Sequence, residues 1–427
     1  LFQLHDLARM LAWYDGLGTP ADAYLCDSNL IHARKHRRTR SKPTARMLQE
    51  SAMVLAQGAA VGYWTYPMPD GAFLPSRTQR LLKVADFVHQ RAALSVNTLS
   101  GARCAVLCSD PGAGVGAGSS PGLGGAIKVL QALHRPADII DEDGLPEAPP
   151  WDLILLPEQS CLPERTVAIL ERFVRHGGRL LSTGRSTHDP LVARLCGIHL
   201  EQPAALADAH VLIAGLEDPC GICAPWDRYR VSDSDSGAGA DALLPLARSW
   251  DDLNPECRNL TDNWPMHGLM DERHPQDAGF AAAFLRQLGT GTVLHFAAPI
   301  FGEYLQLGDP QLLALARWLL DRLDPEPWLM SDAPPCVIFS ARRTDESLLI
   351  HVVNGNPGRE TALVGGEDLW VDAIPVLGPF HLRLRLPAPP CSARWEPQAA
   401  PADGTWRDGY YHVTLPSLEI HTCLCLT

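Results

Sequence analysis

The chain has 427 residues, 46% of them hydrophobic, and a formal charge of −13 from 36 Lys and Arg against 49 Asp and Glu. That length exceeds what one hydrophobic core sustains, so two to four domains are expected. The acidic balance argues against nucleic acid as a partner, because a polyanion is held by clustered cations, and no apolar run is long enough to span a membrane as a helix.

The opening stretch LFQLHDLARMLAWYDGLG (1–18) sets Leu4, Leu7, Ala8 and Leu11 at helical spacing. Neither an initiator Met nor a cap precedes Leu1, and the stretch is expected to be the inside of a larger α/β domain that begins upstream. Two strand-like runs follow, ADAYLCDSNL (21–30) and AAVGYWTYPMPDG (59–71). Between them the basic patch HARKHRRTRSKP (32–43) is expected to be a solvated loop. The stretch KPTARMLQESAMVLAQ (42–57) then puts Ala45, Leu48, Ala52, Val54 and Leu55 on a helical stripe, with Gly58 as its stop. After the turn MPDG, SRTQRLLKVADFVHQRAAL predicts a closing helix. Strand, helix, strand, helix is the repeat of a (β/α)8 barrel, which needs about 250 residues when whole. Residues 1–101 are therefore expected to be its C-terminal part, the last β/α units.

From residue 102 the alternation resumes with the strand ARCAVLC, a glycine-rich loop, the helix AIKVLQALH, the runs ADIID and DLILLPE, the helix RTVAILERFVRHGG and the strand RLLSTG. The pattern predicts a flavodoxin-like, doubly wound domain over 102–330. An irregular insert covers roughly 200–290, and GTVLHFAAP with DPQLLALARWLLDRL closes the domain. The loop GAGVGAGSSPGLGG (112–125) resembles a dinucleotide fingerprint only loosely and is expected to be a flexible connection. A class I amidotransferase would need a Cys on the tight turn after RLLSTG. That turn carries Thr183, Gly184 and Arg185; Cys161 follows the preceding strand without an elbow, so glutamine hydrolysis is not expected. From 331 to 427, short alternating strands separated by Gly and Pro turns predict a small β-sandwich.

The twelve cysteines form no short-spaced disulfide framework. Cys220 and Cys223 lie between Pro219 and Pro225 in a loop, without a second ligand pair for zinc and without the strand-to-helix setting of a redox motif. No metal and no cofactor are expected, and reduced thiols point to the cytoplasm.

The candidate binding residues stand at the ends of the opening strands: Asp27, Trp64, Tyr66 and Asp70, with Lys42 and Pro43 beginning the helix between them. Sugar sites at barrel rims use aromatic faces for the C–H side of a ring and charged groups for its hydroxyls. Simple alternation of Trp64 and Tyr66 in and out of an ordinary strand explains these two residues equally well.

The stretch SKPTARMLQESAMVLAQGAAVGYWTYPMPDGAFLPS resembles the end of the barrel in the glycoside-hydrolase group related to α-L-fucosidases, through Lys42-Pro43, Gln49-Glu50, Ala56-Gln57-Gly58 and Asp70-Gly71 in that order. ARCAVLCSD, DLILLPEQSCLPE, FVRHGGRLLSTG and GTGTVLHFAAPIFGEYLQLGDP are similar to the trimerisation domain of β-galactosidases, and SLLIHVVNGNP with LPSLEIHTCLCL to the small β-domain that closes such enzymes. The resemblance implies the C-terminal portion of a retaining-type hydrolase of O-glycosidic bonds, fucosidase- or galactosidase-like, with a carbohydrate substrate and a homo-oligomeric, trimer-type assembly. In that family the catalytic carboxylates come mainly from earlier barrel strands, so no catalytic residue is assigned here and the chain alone is expected to be inactive. Asp27, Lys42, Trp64, Tyr66 and Asp70 are expected to line the sugar site. The competing class is a non-catalytic oligomerisation or carbohydrate-binding protein.

Overall fold

A computed structural model describes residues 22–33, 36–109, 121–159, 161–206, 209–213, 220–222, 225–232, 239–248, 277–356 and 373–427. The helix expected over 1–18 and most of the glycine-rich loop lie outside the described residues. The architecture is mixed α/β, in two compact units: Leu1–Ala102 with Leu130–Ile139 and Pro327–Thr427, and Arg103–Val129 with Ile140–Glu326.

The first unit opens with β1 (Asp22–Cys26), β2 (Ser28–Ala33), β3 (His36–Ser41), α1 (Thr44–Ala56), β4 (Ala60–Trp64), α2 (Pro75–His89) and β5 (Leu99–Ser100). β1 and β4 pair in parallel, from Asp22 opposite Ala60 to Cys26 opposite Trp64. The basic patch expected to be a loop is instead an antiparallel hairpin of β2 and β3. The sequences of β2, SNLIHA, and β3, HRRTRS, carry no apolar alternation to betray a strand. Pro43, extended at φ −59° and ψ 146°, starts α1. Its missing N–H costs nothing at a helix start, where such donors have no partner in the helix. Arg46, Met47 and every residue from Gln49 to Ala56 are buried, so α1 is enclosed on nearly all sides. Ala52, Met53, Val54 and Ala56 share a core with Ala23, Ile338 and Val353.

The chain continues through β6 (Cys104–Cys108), α3 (Pro121–Ala132), β7 (Ala137–Asp141), β8 (Leu153–Pro157), α4 (Glu164–Arg175), β9 (Arg179–Thr183), α5 (Pro190–Cys196), β10 (Ile198–Leu206), β11 (Ala209–Val211), β12 (Cys220–Ile222), β13 (Trp226–Val231), β14 (Asp241–Arg248), β15 (Asp277–Leu288), β16 (Gly291–Phe296), α6 (Ile300–Leu307) and α7 (Pro310–Leu323). The largest sheet has nine strands in the order β12-β11-β14-β15-β16-β9-β8-β6-β7. β6, β8, β9 and β16 are parallel, and the wholly buried run LILLP of β8 suits a sheet covered on both faces. The region 200–290, expected to be irregular, contributes β11, β12, β14 and the twelve-residue β15, which extend the sheet antiparallel. A buried polar network fastens β13 beside β9 and β16. Asp227 holds His188 at 2.6 Å and accepts the Tyr229 hydroxyl at 3.1 Å, Thr187 joins Tyr229 to His295, and Ser182 meets the other ring nitrogen of His295. Burial drives His295 down to about 3, so its ring is neutral.

The chain then completes the first unit with β17 (Leu329–Ser331), β18 (Val337–Arg343), β19 (Leu348–Asn354), β20 (Phe380–Arg385), β21 (Ala393–Glu396), β22 (Ala400–Pro401), β23 (Gly404–Arg407), β24 (Tyr410–Leu415) and β25 (His421–Leu426). They form a four-stranded sheet, β17-β20-β24-β23, and a six-stranded sheet, β22-β21-β25-β19-β18-β5. Phe339, Ile350 and Val352 from one sheet share a core with Leu382, Leu384 and Val413 from the other. β5, from the first hundred residues, closes the edge of the second sheet with Ser100 opposite Arg342. Among the described residues, no helix is long and apolar enough to cross a membrane.

Buried polar contacts join the early and late segments of this unit. Gln49 Nε2 donates to the carbonyls of Asn354 and Asn356 at 2.8 and 2.7 Å. Arg342 donates to Thr98, at Oγ1 from Nε and at the carbonyl from Nη2. Arg91 Nε lies 3.1 Å from His421 Nδ1, His421 Nε2 is 3.0 Å from His351 Nδ1, and His351 Nε2 is 3.1 Å from the Leu94 carbonyl. Since Arg91 and the Leu94 carbonyl fix the two ends, each ring donates from Nε2 and accepts at Nδ1, which requires both imidazoles to be neutral. Burial, reinforced by Arg342, holds His351 down to about 3, and burial with His351 and Arg91 holds His421 well below 6.5.

Both histidines bind protons more readily unfolded than folded. Their contribution to stability is therefore full above the unfolded value near 6.5 and is lost as pH falls below it, by up to about 1.4 kcal/mol per pH unit for each ring. Urea denaturation of the first unit should show stability falling from pH 7 to pH 5, with a shallower fall in His421→Gln. Equal slopes in the two proteins would refute the assignment.

Candidate functional site

The carboxyl ends of β1 and β4 gather the polar groups of the opening segment. Asp27 follows β1 directly, and its N–H continues the ladder to the Trp64 carbonyl at 3.1 Å. Its side chain is buried, with 1% exposure. Oδ2 accepts from Thr65 Oγ1 at 2.7 Å and pairs with Arg77 Nε at 3.1 Å, whereas Oδ1 is buried without a hydrogen-bond partner. Arg77, in the first turn of α2, also donates to the Tyr66 carbonyl at 2.7 Å, so one guanidinium braces both strand ends.

Trp64 and Tyr66 both face outward, 61% and 55% exposed, while Tyr63, just before Trp64, turns inward and donates to the Met47 carbonyl of α1 at 2.8 Å. Tyr24 of β1, 67% exposed, shares the outer face. Its ring lies across Gly62, where an added Cβ would come within 2.8 Å of the ring; no larger residue fits beneath it. Tyr24, Trp64 and Tyr66 thus form a row of exposed aromatics ending beside Asp27.

Lys42 reaches this region through its backbone, its N–H donating to the Asp27 carbonyl at 2.8 Å. Its ammonium points elsewhere, holding both oxygens of Glu50 at 2.9 and 2.8 Å, and Arg46 Nε adds a third contact at 3.0 Å. All three side chains are buried, giving two cations to one carboxylate. Asp70 is exposed and accepts from the Ala72 N–H at 3.0 Å within its own turn, with no contact to the other four. The structure therefore brings Asp27, Trp64 and Tyr66 together, adds Lys42 by its main chain and leaves Asp70 apart. Sequence reasoning missed Arg77, Thr65, Tyr24 and the engagement of Glu50; a glycine inside an aromatic strand was the available signal for Tyr24.

The fold is similar to that of part of several solved glycosidases. Alpha-L-fucosidase isoenzyme 2 from Paenibacillus thiaminolyticus superposes with a TM-score of 0.77 at 16% identity, over 97% of this chain and 62% of that one. A catalytic mutant of Gan42B, a GH42 beta-galactosidase from G. stearothermophilus, gives 0.63 at 15% identity over 100% and 57%. The beta-galactosidase from Bacillus circulans sp. alkalophilus gives 0.61 at 13% over 100% and 58%. This chain thus spans about three fifths of the length of these solved structures. No protein-family model and no curated protein matches the sequence.

The second unit holds another buried carboxyl at a strand end. Glu158 follows β8 with φ 57°, in the left-handed region that a non-glycine residue enters only at a cost. Its Oε1 accepts the Gly302 N–H of α6 at 3.0 Å. Burial, with Glu303 adding repulsion, pushes its carboxyl up to about 7 against the pull of the Gly302 and Phe301 N–H groups. The sharp position after this strand is thus occupied by a carboxyl, and Cys161 lies three residues on, exposed.

Glu50→Gln leaves Lys42 and Arg46 buried with only a neutral amide. It should lower stability by about 3 kcal/mol or more, read by urea denaturation; a change below about 1 kcal/mol would contradict the buried triad. Glu158 behaves oppositely. Its folded value lies above its unfolded one, so its stabilising contribution is full below about 4.5 and is lost as pH rises through about 7. Glu158→Gln should therefore gain about 1–3 kcal/mol over the parent at pH 8 and nothing at pH 5, measured by chemical denaturation at both pH values. A gain of the same size at pH 5 would point to another cause.

Proposed function

We propose that this chain is the C-terminal portion of a glycoside hydrolase acting on O-glycosidic bonds of a fucosidase- or galactosidase-like substrate. In this reading residues 1–101 are the last β/α units of a (β/α)8 barrel, 102–330 a flavodoxin-like, non-catalytic domain of the trimerisation type, and 331–427 a β-sandwich. The observation that carries it is the β1–β4 pair. Its inner face packs on α1, while its outer face presents Tyr24 and Trp64, with Tyr66 just beyond β4, next to the buried Asp27. This is how one stretch of barrel wall supplies aromatic faces to sugar rings and a carboxylate to their hydroxyls.

Retaining hydrolysis needs two carboxyls about 5 Å apart, one as nucleophile and one as acid and base. Glu50 is saturated by Lys42 and Arg46 and Asp70 is bound in its own turn. Among the buried carboxylates described at this rim, Asp27 is the one with an oxygen left without a hydrogen-bond partner. The chain by itself is therefore inactive in this reading, and Asp27, Trp64 and Tyr66 contribute to substrate contact, with Lys42 positioning Asp27. The second reading, a non-catalytic oligomerisation or carbohydrate-binding protein, draws support from the same shortage of a carboxyl pair and from the carboxyl at the sharp turn after β8.

Aryl-fucosides and aryl-galactosides should be cleaved by the whole gene product and left intact by this chain alone. Sugar binding without turnover in the whole product would select the second reading. Trp64→Ala should weaken sugar binding roughly three- to tenfold, the scale of one aromatic contact, in a binding titration; unchanged affinity would remove Trp64 from the site. Sedimentation should give a homo-oligomer, a trimer in this reading, and a strictly monomeric species would count against the assembly role.

A further inference from the structure

The outer face of the four-stranded sheet β17-β20-β24-β23 holds a concavity of ≈ 740 Å³ within the first unit. β20 alternates strictly: Phe380, Leu382 and Leu384 are buried, while His381 and Arg383 face out. Arg383 lies opposite His412 of β24, which in turn lies opposite Thr405 of β23, and Arg407 follows Thr405 by two residues on the same face. The two arginines thus flank His412 from the neighbouring strands. Arg407 Nε donates to His412 Nε2 at 3.4 Å, and the Arg383 guanidinium sits 4.8 Å from the centre of the Tyr410 ring. Burial, then Arg407 and Arg383, lower the proton affinity of His412, so the imidazole accepts from Arg407 and adds no charge of its own.

The acids nearby are unevenly used. Asp332 is taken by His381, with its carboxylate accepting both the ring N–H and the backbone N–H at 2.7 Å. Among the described residues, neither Arg383 nor Arg407 has a carboxylate partner within ion-pair distance. Asp403 and Asp408 stand in the lining, where they can accept from hydroxyl groups. Two unpaired guanidiniums across one neutral imidazole form a planar, multi-donor clamp for an oxyanion. The remaining lining suits a polyhydroxylated neighbour of that anion. A long polyanion is opposed by the overall charge of −13.

We propose that this concavity binds an acidic saccharide, with its carboxylate or sulfate group held between Arg383 and Arg407 and its hydroxyls facing Asp403 and Asp408. The saccharide half of the assignment rests on the carbohydrate function proposed above; the anion half stands on the pocket alone.

The test is calorimetric titration of the full chain with galacturonic acid, galactose 6-sulfate, galactose and inorganic sulfate at low salt. The two acidic sugars should bind at least tenfold more tightly than galactose or inorganic sulfate. Arg383→Ala and Arg407→Ala, both at exposed positions, should each reduce that binding about tenfold while the far-ultraviolet circular dichroism is retained. Trp64→Ala should bind acidic sugars as the parent does, which separates this site from the strand-end site. Galactose binding as tightly as the acidic sugars would overturn the anion clamp. Inorganic sulfate binding as tightly as the sulfated sugar would reduce the site to an adventitious ion only and overturn the saccharide. Absence of binding by either acidic sugar, or loss in Trp64→Ala with both arginine variants unaffected, would overturn the site itself.

Discussion

The first unit depends on keeping buried polar groups bonded where chain segments 305 residues apart meet. A buried amide or guanidinium left without a partner costs about 1–3 kcal/mol, so each such group binds its neighbours to a fixed arrangement. Gln49 on α1 divides its N–H groups between the Asn354 and Asn356 carbonyls, and the Asn354 side chain in turn donates to the carbonyls of Pro375 and Glu419. The Arg91, His421, His351 and Leu94 chain does the same for the segment after α2. Arg342 does it for Thr98, passing over Gly58, which takes φ 78° and has no side chain to obstruct the guanidinium. Removing one element would strand several of these groups at once. The described early and late segments of this unit are therefore held together, with β5 at the edge of the late sheet.

The strand-end site inherits its geometry from that constraint. α1 cannot rotate without exposing Ala52, Met53 and Val54 or breaking Gln49 from its two carbonyls. Its first turns hold Arg46 and Glu50 in place, Glu50 fixes the Lys42 ammonium, and the Lys42 N–H fixes the backbone of Asp27. From the opposite side Arg77 clamps the Asp27 carboxylate and the Tyr66 carbonyl. The carboxylate is thereby held on one oxygen by two neighbours while the other is left without a hydrogen-bond partner. A pre-positioned acceptor of this kind loses no rotamer freedom when it meets a hydroxyl.

Those features separate what was legible in the sequence from what was not. Elements specified by local pattern were readable: α1 after Pro43, β4 with its aromatic run, the buried strands LILLP and RLLST, and the short alternating strands of the tail. The hairpin β2–β3 was misread because its strands carry no alternation. β15, with AGFAAAFLRQL, was missed because alanine has little β preference and its extended state comes from pairing with β14 and β16. Asp27, Trp64 and Tyr66 were singled out because strand ends rich in aromatics and acids are unusual, and they lie together at the ends of β1 and β4. Arg77 was hidden because one arginine in the exposed first turn of a helix has no sequence signature. Lys42 was expected at the start of the helix between the strands, but nothing local told that its ammonium would turn to Glu50.

The two units also show why a buried carboxyl cannot be interpreted from its burial alone. Glu50 is enclosed in the first unit, yet two cations reach it through three hydrogen bonds, and its charge is the reason Lys42 and Arg46 can be buried. Glu158 is enclosed in the second unit with backbone N–H groups as its donors and Glu303 nearby, and it rises to about 7. Burial penalises the charged form in both places; the donors decide whether that penalty is offset. The first arrangement makes a structural anchor in which one carboxylate and two cations are buried together. The second makes a group that changes charge near neutral pH at a strained strand end, a device that costs stability whenever it ionises. That the second unit retains such a group while the first satisfies its own is a physical difference between them, independent of any sugar chemistry.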